Sequence, residues 1–323
     1  MSSIWFYVIV ISNMTTYILK RLLLFIPTLL GVTIVTFFLM KAVPGDPAAG
    51  MVGERAPKEV VEKIKKDLGE DRPVFIQYLG YLGLILKGEL GRSYYTDRKI
   101  SEDIAEKLPN TFKLALAATI LATFFGISLG VISAAFRNNF IGKTASLIAL
   151  WGISLPVFWV GLVLMLLFAL ILHWLPPSGT GTSLIYLVLP ASTLGIHSAA
   201  YISRITRSSM LEVLSKPYIE TARAKGLNEF KVIMKHALRN ALIPIVTLIG
   251  IDFGSYLNGS VLTETIFGWD GMGRYALDGI MKRDYPVVMG TVLVGAVVFV
   301  AINLLVDISY SYLDPRIRTE GKG

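Results

Sequence analysis

Long apolar runs separated by polar connections are the feature that most restricts what this chain can fold into. A helix rises about 1.5 Å per residue, so roughly 20 apolar residues cross the ~30 Å hydrocarbon core of a bilayer. Runs of this length occur repeatedly, each bounded by charged or turn-forming residues. They predict membrane-spanning helices at Ile18–Ala42, Phe112–Phe136, Ala145–Leu172, Leu184–Ser203, Ala241–Leu262 and Pro286–Tyr310.

The composition supports a membrane protein and excludes an ordinary soluble globule. Hydrophobic residues make up 54% of the 323 positions and charged residues 17%, which leaves too little polar surface to coat a soluble fold. The runs also lack the alternating polarity, about ten residues long, of membrane β-strands. We therefore expect an all-α membrane protein with about six transmembrane helices.

Charges in the short connections predict which ends of the helices face the cytoplasm, because Lys and Arg near span ends are retained there. The connection 173–183 has no charged residue of either sign. Basic residues instead flank the first span, the turn between the second and third, and the end of the last, at Lys20, Arg21, Arg137, Lys143, Arg316 and Arg318. We expect a multi-pass protein of the plasma or inner membrane with both termini cytoplasmic.

The connection between the first two spans is long and contains two predicted helices. Pro57–Leu68 carries its apolar residues on one face, which predicts an amphipathic helix that Gly69 ends. Val74–Leu86 is apolar and aromatic but too short to span, so we expect an interfacial helix. The predicted organisation is an N-terminal segment 1–16, a first span 17–42, an extracytoplasmic loop 43–111, a five-helix core 112–310 that includes a cytoplasmic connection 204–240, and a tail 311–323.

The connection 204–240 holds most of the basic excess of a chain whose formal net charge is +8. Pro217 suits the first turn of a helix, and Gly226 suits a left-handed stop. These two residues predict a short helix, Pro217–Lys225, lying across the cytoplasmic membrane surface.

A second helix is predicted to follow at once, so that the connection forms an elbow of helix, glycine and helix. Asn228 can cap this second helix, and Leu227 and Val232 can flank the cap as a hydrophobic staple. Two interpretations of its surface stay open. A basic stripe at Lys231, Lys235 and Arg239 suits anionic lipid head groups, at about 1 kcal/mol per residue. Small side chains at Thr221, Ala222, Ala224 and Gly226 suit the close approach of another protein's surface.

The segment ETARAKG, residues 220–226, resembles the cytoplasmic EAA motif of ABC importer permeases. Glu220, Ala222 and Gly226 match the motif, and Thr221 replaces an alanine. In that family the loop forms a coupling helix that docks in a cleft of the ATPase subunit. The downstream HALRNALIP, residues 236–244, departs from the general pattern and resembles the peptide-transporter branch. The resemblance implies an ATPase-coupling surface at Pro217, Tyr218, Glu220, Thr221, Ala222, Arg223, Ala224, Lys225, Gly226, His236 and Arg239.

The resemblance extends along most of the chain and carries expectations about fold and partners. It includes VPGDP at 43–47, QYLGYLGLILKGELGRS at 77–93, LPNT at 108–111, ETIFGWDGMGR at 264–274, RDYP at 283–286 and LDPRIR at 313–318. Together these segments resemble the first of the two paired permeases of dipeptide and oligopeptide importers. This implies a type I importer fold, a second homologous permease, two ATPase subunits that bind Mg-ATP, and an extracytoplasmic solute-binding protein. Lipid is the other expected partner, with no nucleic acid.

A search for catalytic, nucleotide and metal motifs gives no match, so we expect a transport subunit that is not an enzyme and binds no cofactor itself. The nearest approach to a P-loop, Gly142–Lys143–Thr144, has Arg137 where the first glycine is required. HExxH, GxSxG and paired transmembrane aspartates are missing from the sequence. His197 lies within a span, where a hydrogen-bonded structural role is favoured over a proton path.

Asp252 is the acidic residue nearest the middle of a predicted span. Such a placement costs roughly 2.5–3.5 kcal/mol, so the carboxylate should face the bundle interior or a water-filled cavity. With Ser255, Tyr256 and Asn258 it could line a solute pathway. It could equally tie helices together or pair with the second permease, and these alternatives stay open.

The function predicted from these observations is that of a permease subunit in an ATP-driven, binding-protein-dependent importer of di- or oligopeptides. Alternating access would move solute along the interface with the second permease. An ion-coupled secondary transporter is the rival class, disfavoured because only one acidic residue lies deep in a span and no pair of broken helices occupies matching halves. Oligosaccharides and nickel complexes are alternative substrates within the same importer class.

Overall fold

The computed structural model describes residues 23–42, 48, 57–67, 69–181, 183–257 and 260–313, with side chains as far as residue 306. The predicted N-terminal segment, VPGDP, Asn258 and nearly all of LDPRIR lie outside these residues. The described residues are mainly helical, and their β-type pairing is one isolated bridge between Arg92 and Lys99.

Long helices cross the molecule, and shorter ones lie at its two ends. In chain order the helices are α1 Leu23–Ala42, α2 Lys58–Asp67, α3 Val74–Leu86, α4 Ile100–Ala135, α5 Phe140–Ser154, α6 Val157–Ile171, α7 Ile185–Leu214, α8 Pro217–Ala224, α9 Glu229–Leu257, α10 Val261–Ile266, α11 Met272–Lys282 and α12 Tyr285–Leu313. Within the described residues α1, α4, α7, α9 and α12 are each long and apolar enough to cross a membrane, and α5 with α6 makes a possible sixth span. About six transmembrane helices are therefore confirmed.

The two helices predicted in the long first connection are present. Helix α2 ends at Asp67, and Gly69 follows with a left-handed φ of 71°. Helix α3 has the predicted bounds, and it lies against α1 because Tyr78 and Tyr81 are buried beside Phe37.

Four predicted span boundaries differ from the structure by several residues. The predicted fifth span is one of these cases, because its helix α9 begins at Glu229 and not at Ala241. Helix α4 begins at Ile100 and not at Phe112, because its first turns are polar and a hydropathy criterion misses them. Helix α7 likewise continues past Ser203 to Leu214. Helix α9 ends at Leu257, and the last two residues of the predicted fifth span, Val261 and Leu262, belong to the separate helix α10.

The third predicted span, Ala145–Leu172, is broken and not straight. Its two arms, α5 and α6, meet at an angle of 104°. Leu155, which precedes Pro156, has an extended backbone with φ −90° and ψ 133°. A proline ring clashes with a helical residue before it, so the break has a local steric cause.

Helices α4 and α7 form a parallel pair at the centre of the bundle. A Cβ on Gly126 would lie 2.7 Å from Cβ of Ile202, and one on Gly130 would lie 2.4 Å from Cβ of Thr206. Gly195 meets the carbonyl oxygen of Ala118 in the same way, at 3.2 Å. Because contacts advance in the same direction along both helices, the two run parallel with their backbones close together.

Helix α9 runs antiparallel to α7, and α12 runs antiparallel to α9, so the bundle has two distinct ends. Tyr256 of α9 bonds to α7 near Leu194, whereas Ile245 packs beside Ile202, so α9 is antiparallel to α7. Gly250 and Gly254 of α9 meet successively earlier residues of α12, which is antiparallel to α9. We name one end of the bundle the elbow end; it contains the C-termini of α4 and α7 together with α8. The opposite end is where α4, α7 and α12 begin, beside α3, α10 and α11.

Candidate coupling elbow and solute pathway

Helix α8 begins and ends as its sequence predicts. Lys216 is extended, with φ −78° and ψ 144°, and Pro217 occupies the first helical position, where a missing N–H costs nothing. Gly226 follows the helix with φ 78°. Its N–H donates to the carbonyl of Arg223 at 2.9 Å, and the N–H of Leu227 donates to that of Ala222 at 3.3 Å. This pair of bonds is a Schellman motif, which favours glycine at the left-handed position.

The start of α9 fixes the second arm of the elbow. The Asn228 side chain accepts a hydrogen bond from the backbone N–H of Lys231 at 3.0 Å, as a helix cap does. Val232 is fully buried, and Leu227 packs against the same cluster. The predicted cap is confirmed, and the predicted staple residues belong to one apolar cluster.

One face of α8 is buried in the bundle. Ile219 and Ala222, three residues apart, are both buried. They belong to an apolar group that we name the elbow cluster, composed of Ala134, Met210, Ile219, Ala222, Val232, Ala237, Leu238 and Ala241. The cluster combines residues of α4, α7, α8 and α9, so α8 is fastened to three long helices at once.

The other face of α8 is exposed and contains most of the predicted coupling residues. The exposed residues of the segment are Pro217, Tyr218, Glu220, Thr221, Arg223, Ala224, Lys225 and Gly226. Ala222 is the exception. Its small side chain lies in the elbow cluster and lets α8 pack against its own bundle.

His236 and Arg239 lie on the second arm, and the basic stripe is exposed. His236 is half-buried within a π-helical segment, Val232–Ala237, while Lys231, Lys235 and Arg239 are exposed. The sequence analysis missed Asn240. Its side-chain amide donates to the hydroxyl of Tyr218 and to the carbonyl of His236, both at 2.9 Å, and so joins the two arms of the elbow.

The predicted pathway residues are only partly brought together. Asp252 is half-buried between α7 and α9, where the Ser198 hydroxyl is its hydrogen-bond partner. Ser198 also bonds to the hydroxyl of Tyr256. Oδ2 of Asp252 is buried and has no hydrogen-bond partner among the described residues. Ser255 is exposed, so it stands apart from this polar group.

His197 is close to the same polar group but does not have the expected bond. Its Nδ1 atom is buried, and the described residues give it no hydrogen-bond partner. The ring instead contacts Tyr201 edge-on, with centroids 5.2 Å apart. The prediction of a hydrogen-bonded structural histidine is therefore wrong at Nδ1.

At the opposite end, a buried carboxylate caps a helix in a way that the sequence analysis did not foresee. Glu264 has no accessible surface. Its carboxylate accepts hydrogen bonds from the Arg274 N–H and the Thr111 hydroxyl, each at 2.9 Å, and from the N–H of Gly273. The Thr111 hydroxyl in turn accepts from the N–H of Met272 at 2.8 Å. The first three N–H groups of α11, which no helical carbonyl can satisfy, are therefore all bonded.

Further contacts close the space around Glu264. A Cβ on Gly271 would lie 2.5 Å from the Glu264 carboxylate, so only glycine fits there. The Trp269 indole N–H donates to the carbonyl of Asn110 at 3.0 Å. Burial raises the pKa of the Glu264 carboxyl, while the bonds from the Arg274 N–H and from Thr111 act in the opposite direction.

A second buried carboxylate, Asp284, lies at the same end. It accepts from the Ser93 hydroxyl at 2.5 Å and from the Tyr94 N–H at 3.2 Å. In the sequence, the residues of these two networks were marked only by lying in segments that resemble the family, namely LGRS, LPNT, ETIFGWDGMGR and RDYP. No role could be assigned to those segments from the sequence.

The structure gives Gly142, in the segment nearest to a P-loop, a packing role, and it also allows a check for metal-ligand clusters. A Cβ on Gly142 would lie 2.2 Å from the carbonyl oxygen of Phe136, so this glycine permits the tight turn from α4 to α5. Over the described ranges, no three His, Asp or Glu residues converge as metal ligands would.

Comparison with known proteins decides the family. Residues 126–319 match the family described as the inner membrane component of binding-protein-dependent transport systems, and residues 14–115 match its N-terminal family. The chain belongs to this family. The permease is 42% identical to the dipeptide transport system permease protein DppB of Alkalihalophilus pseudofirmus, across 94% of the chain and 100% of that relative. It is 43% identical to the glutathione transport system permease protein GsiC of Pectobacterium atrosepticum, across 94% of the chain and 99% of that relative.

Solved structures support the fold of the permease. An inward-facing structure of the MetNI methionine ABC transporter superposes with a TM-score of 0.56 at 20% identity, covering 65% of this permease and 96% of that chain. An amino acid ABC transporter with histidines gives a TM-score of 0.52 at 17% identity, covering 66% and 94%. The type I importer permease fold is thus confirmed, and this chain is a transport subunit.

Proposed function

We propose that this permease pairs with a second homologous permease and that two ATPase subunits drive the pair by pushing on the elbow. The observation that carries the proposal is that one face of α8 is buried in the bundle and the other is exposed. Ile219 and Ala222 fasten the helix to the bundle, while Tyr218, Glu220 and Arg223 project away from it.

A helix held in this way transmits force. The elbow cluster combines residues of α4, α7, α8 and α9. Close-packed interiors are stiff, so a displacement of α8 moves the ends of these long helices instead of being absorbed locally. We assign Mg-ATP binding and hydrolysis to the partner ATPases, in keeping with the mismatch of Gly142–Lys143–Thr144 to a P-loop.

The exposed face of α8 has the chemistry of a protein contact. Tyr218 is 43% exposed and Phe230 of α9 is 71% exposed, beside the charged residues Glu220 and Lys225. Aromatic side chains amid polar ones are typical of interfaces. The elbow end also carries the basic excess of the chain, which supports its assignment to the cytoplasm together with both termini.

The substrate class that we propose is short peptides, delivered by an extracytoplasmic solute-binding protein. The curated relatives named above carry dipeptide and glutathione in their names. A further relative, from Pseudomonas aeruginosa, is called a di/tripeptide transport system permease protein and is 42% identical across 94% of this chain.

We place the polar group around Asp252 on the solute pathway. The carboxylate has a buried oxygen without a partner in the described residues, which water or a polar solute could satisfy. Tyr256 adds a hydroxyl beside it, Ser255 is exposed one turn away, and the predicted Asn258 belongs to the same proposal.

Affinity purification and reconstitution test the proposal. Tagged permease, expressed with its cognate partners, is expected to bring out a second permease and an ATPase, and to move peptide into vesicles only when ATP and the binding protein are supplied. A single polypeptide that transports without ATP would overturn it. Mass spectrometry of the ligand on the binding protein tests the substrate separately, since a sugar or nickel complex there would reject peptides but not the importer.

The pathway assignment has its own test. Asp252→Asn should slow transport while leaving the amount of assembled complex unchanged, because a neutral amide keeps the shape but not the charge. Glu212→Gln, an exposed change at the end of α7, is the matched control. Unaltered transport in Asp252→Asn would remove Asp252 from the pathway.

A further inference from the structure

Helix α4 joins the two ends of the molecule without a break. It contains 36 residues, which at ~1.5 Å per residue makes it roughly 54 Å long. At one end Ala134 is buried in the elbow cluster. Near the other, Thr111 bonds to both Glu264 and the first residue of α11.

The middle of α4 is packed too closely to yield. At Gly126 and Gly130 the helix meets α7 with no room for a Cβ, and at Gly195 of α7 an added Cβ would be tight against Ala118, at 3.2 Å from its carbonyl oxygen. The α4 backbone there meets backbone carbonyls of α7 together with the β-branched side chains of Ile202 and Thr206, which have little freedom to absorb a shift. The α4–α7 pair should therefore move as one body.

The connection between α4 and α11 is polar and is made by few groups. Thr111 and Glu264 satisfy the first three N–H groups of α11. Beside them, the Lys107 ammonium lies 2.6 Å from the Asp270 carboxylate, and the Asn110 side chain donates to the carbonyl of Asp270 at 2.9 Å. These bonds fasten α11 to the same helix that reaches the elbow.

We propose that Thr111 and Glu264 are positioning residues whose bonds make α11 move together with the elbow. Docking of the solute-loaded binding protein at the opposite end would then reach the ATPases through α4. This inference rests on the proposed function, because it requires partners that act on both ends. It goes further by naming the joint that couples the ends.

The Thr111 hydroxyl has two roles in this joint, and this makes it the best point to test. It donates to Glu264 and accepts from the N–H of Met272. Valine has nearly the same shape and can do neither, whereas serine keeps the hydroxyl. Loss of the hydroxyl leaves a buried carboxylate and a buried N–H each short of a partner.

The experiment uses the assembled importer and compares two ATPase rates, with and without the solute-loaded binding protein. In Thr111→Val the basal rate should persist, and stimulation by the loaded binding protein should fall to the basal level. Thr111→Ser should be stimulated like the unmodified complex. Glu264→Gln should behave like Thr111→Val, because its amide group turns a donor toward donors.

Cross-linking separates a loss of coupling from a loss of folding. The chain has no cysteine, so Lys107→Cys with Asp270→Cys gives this subunit a single pair that a short bifunctional thiol reagent can bridge. In the Thr111→Val background the bridge should restore stimulation. The inference is overturned if Thr111→Val is stimulated normally, or if the bridge restores assembly but not stimulation. An unmodified complex without any ATPase activity would instead reject the proposed function.

Discussion

The two ends of the permease are built on different principles. At the elbow end, α8 is held by apolar burial on one face, while its polar groups face outward with few bonds to the bundle. At the opposite end, carboxylates are drawn inside, and Glu264 and Asp284 use their oxygens on the chain's own N–H and hydroxyl groups.

This difference indicates which polar groups are available to a partner. Buried and satisfied groups give a fixed local shape, since a lost bond costs about 1–3 kcal/mol there. Exposed charges on α8 contribute little to stability, and their side chains are accessible to another surface. Substitutions on the exposed face of the elbow should therefore affect partner binding with little loss of stability, whereas substitutions in the buried network of the opposite end should also lower the stability of the permease.

The largest effect is expected from Gly226→Pro at the elbow. Proline fixes φ near −65°, whereas Gly226 has φ 78°, and proline also removes the N–H that bonds to Arg223. We expect transport to be abolished and ATPase activity to be uncoupled from solute, with the permease still inserted in the membrane. Transport and solute-stimulated ATPase assays on the reconstituted complex measure this.

A matched variant shows whether the backbone conformation is the cause. Gly226→Asn keeps a residue that tolerates the left-handed region, and a Cβ at this position meets no atom within 4 Å. It should retain most activity. Normal solute-stimulated hydrolysis in Gly226→Pro would show that the elbow has no coupling role.

The next effect is expected at Gly271, at the opposite end. Its backbone, with φ −113°, suits any residue, but an added methyl group would meet the Glu264 carboxylate at 2.5 Å. Overpacking of this kind costs about 1–3 kcal/mol. Gly271→Ala should lower the thermal midpoint of the purified permease. Gly80→Ala, a helical site with nothing within 4 Å, should leave it unchanged or raise it, and equal behaviour of the two variants would contradict the packing around Glu264.

Asp284→Asn should destabilise the permease by a smaller amount, about 1–2 kcal/mol. The amide nitrogen would face the Ser93 hydroxyl or the Tyr94 N–H, both of which now donate to the carboxylate. Denaturant titration of the purified protein measures the change. Asp278→Asn, an exposed change on α11, is the control, and an equal loss of stability there would argue against the buried network.

The smallest effect on stability is expected for Arg223→Ala. Its guanidinium lies 2.6 Å from Glu229, but the two side chains are 43% and 58% exposed, and such pairs contribute at most about 1 kcal/mol. We expect the thermal midpoint of Arg223→Ala to stay nearly unchanged while binding of the ATPase weakens. Unimpaired co-purification of the ATPase would remove Arg223 from the contact surface.

The elbow could be predicted from sequence because its signals are local. Pro217, Gly226 and Asn228 each act on their own backbone within a few residues, and all three have the predicted geometry. The number of spans was predictable for a similar reason, since hydropathy is a property of a continuous segment.

The network at the opposite end depends on contacts between distant parts of the chain and could not be predicted in this way. Thr111 and Glu264 are 153 positions apart, and Ser93 and Asp284 are 191 apart. A glutamate inside a polar connection gives no sign that it will be fully buried. The break at Pro156 was open to prediction, because proline restricts the residue before it, but the apolar run across it concealed the signal.

The corner at Pro156 has a consequence for the surrounding lipid. Because α6 turns 104° from α5, the two arms cannot both run along the same axis of the bundle. Helix α6 packs beside Leu189 and Phe267, at the end opposite to the elbow. Its exposed apolar side chains, such as Leu166 and Leu170, therefore meet lipid along a direction different from that of α5.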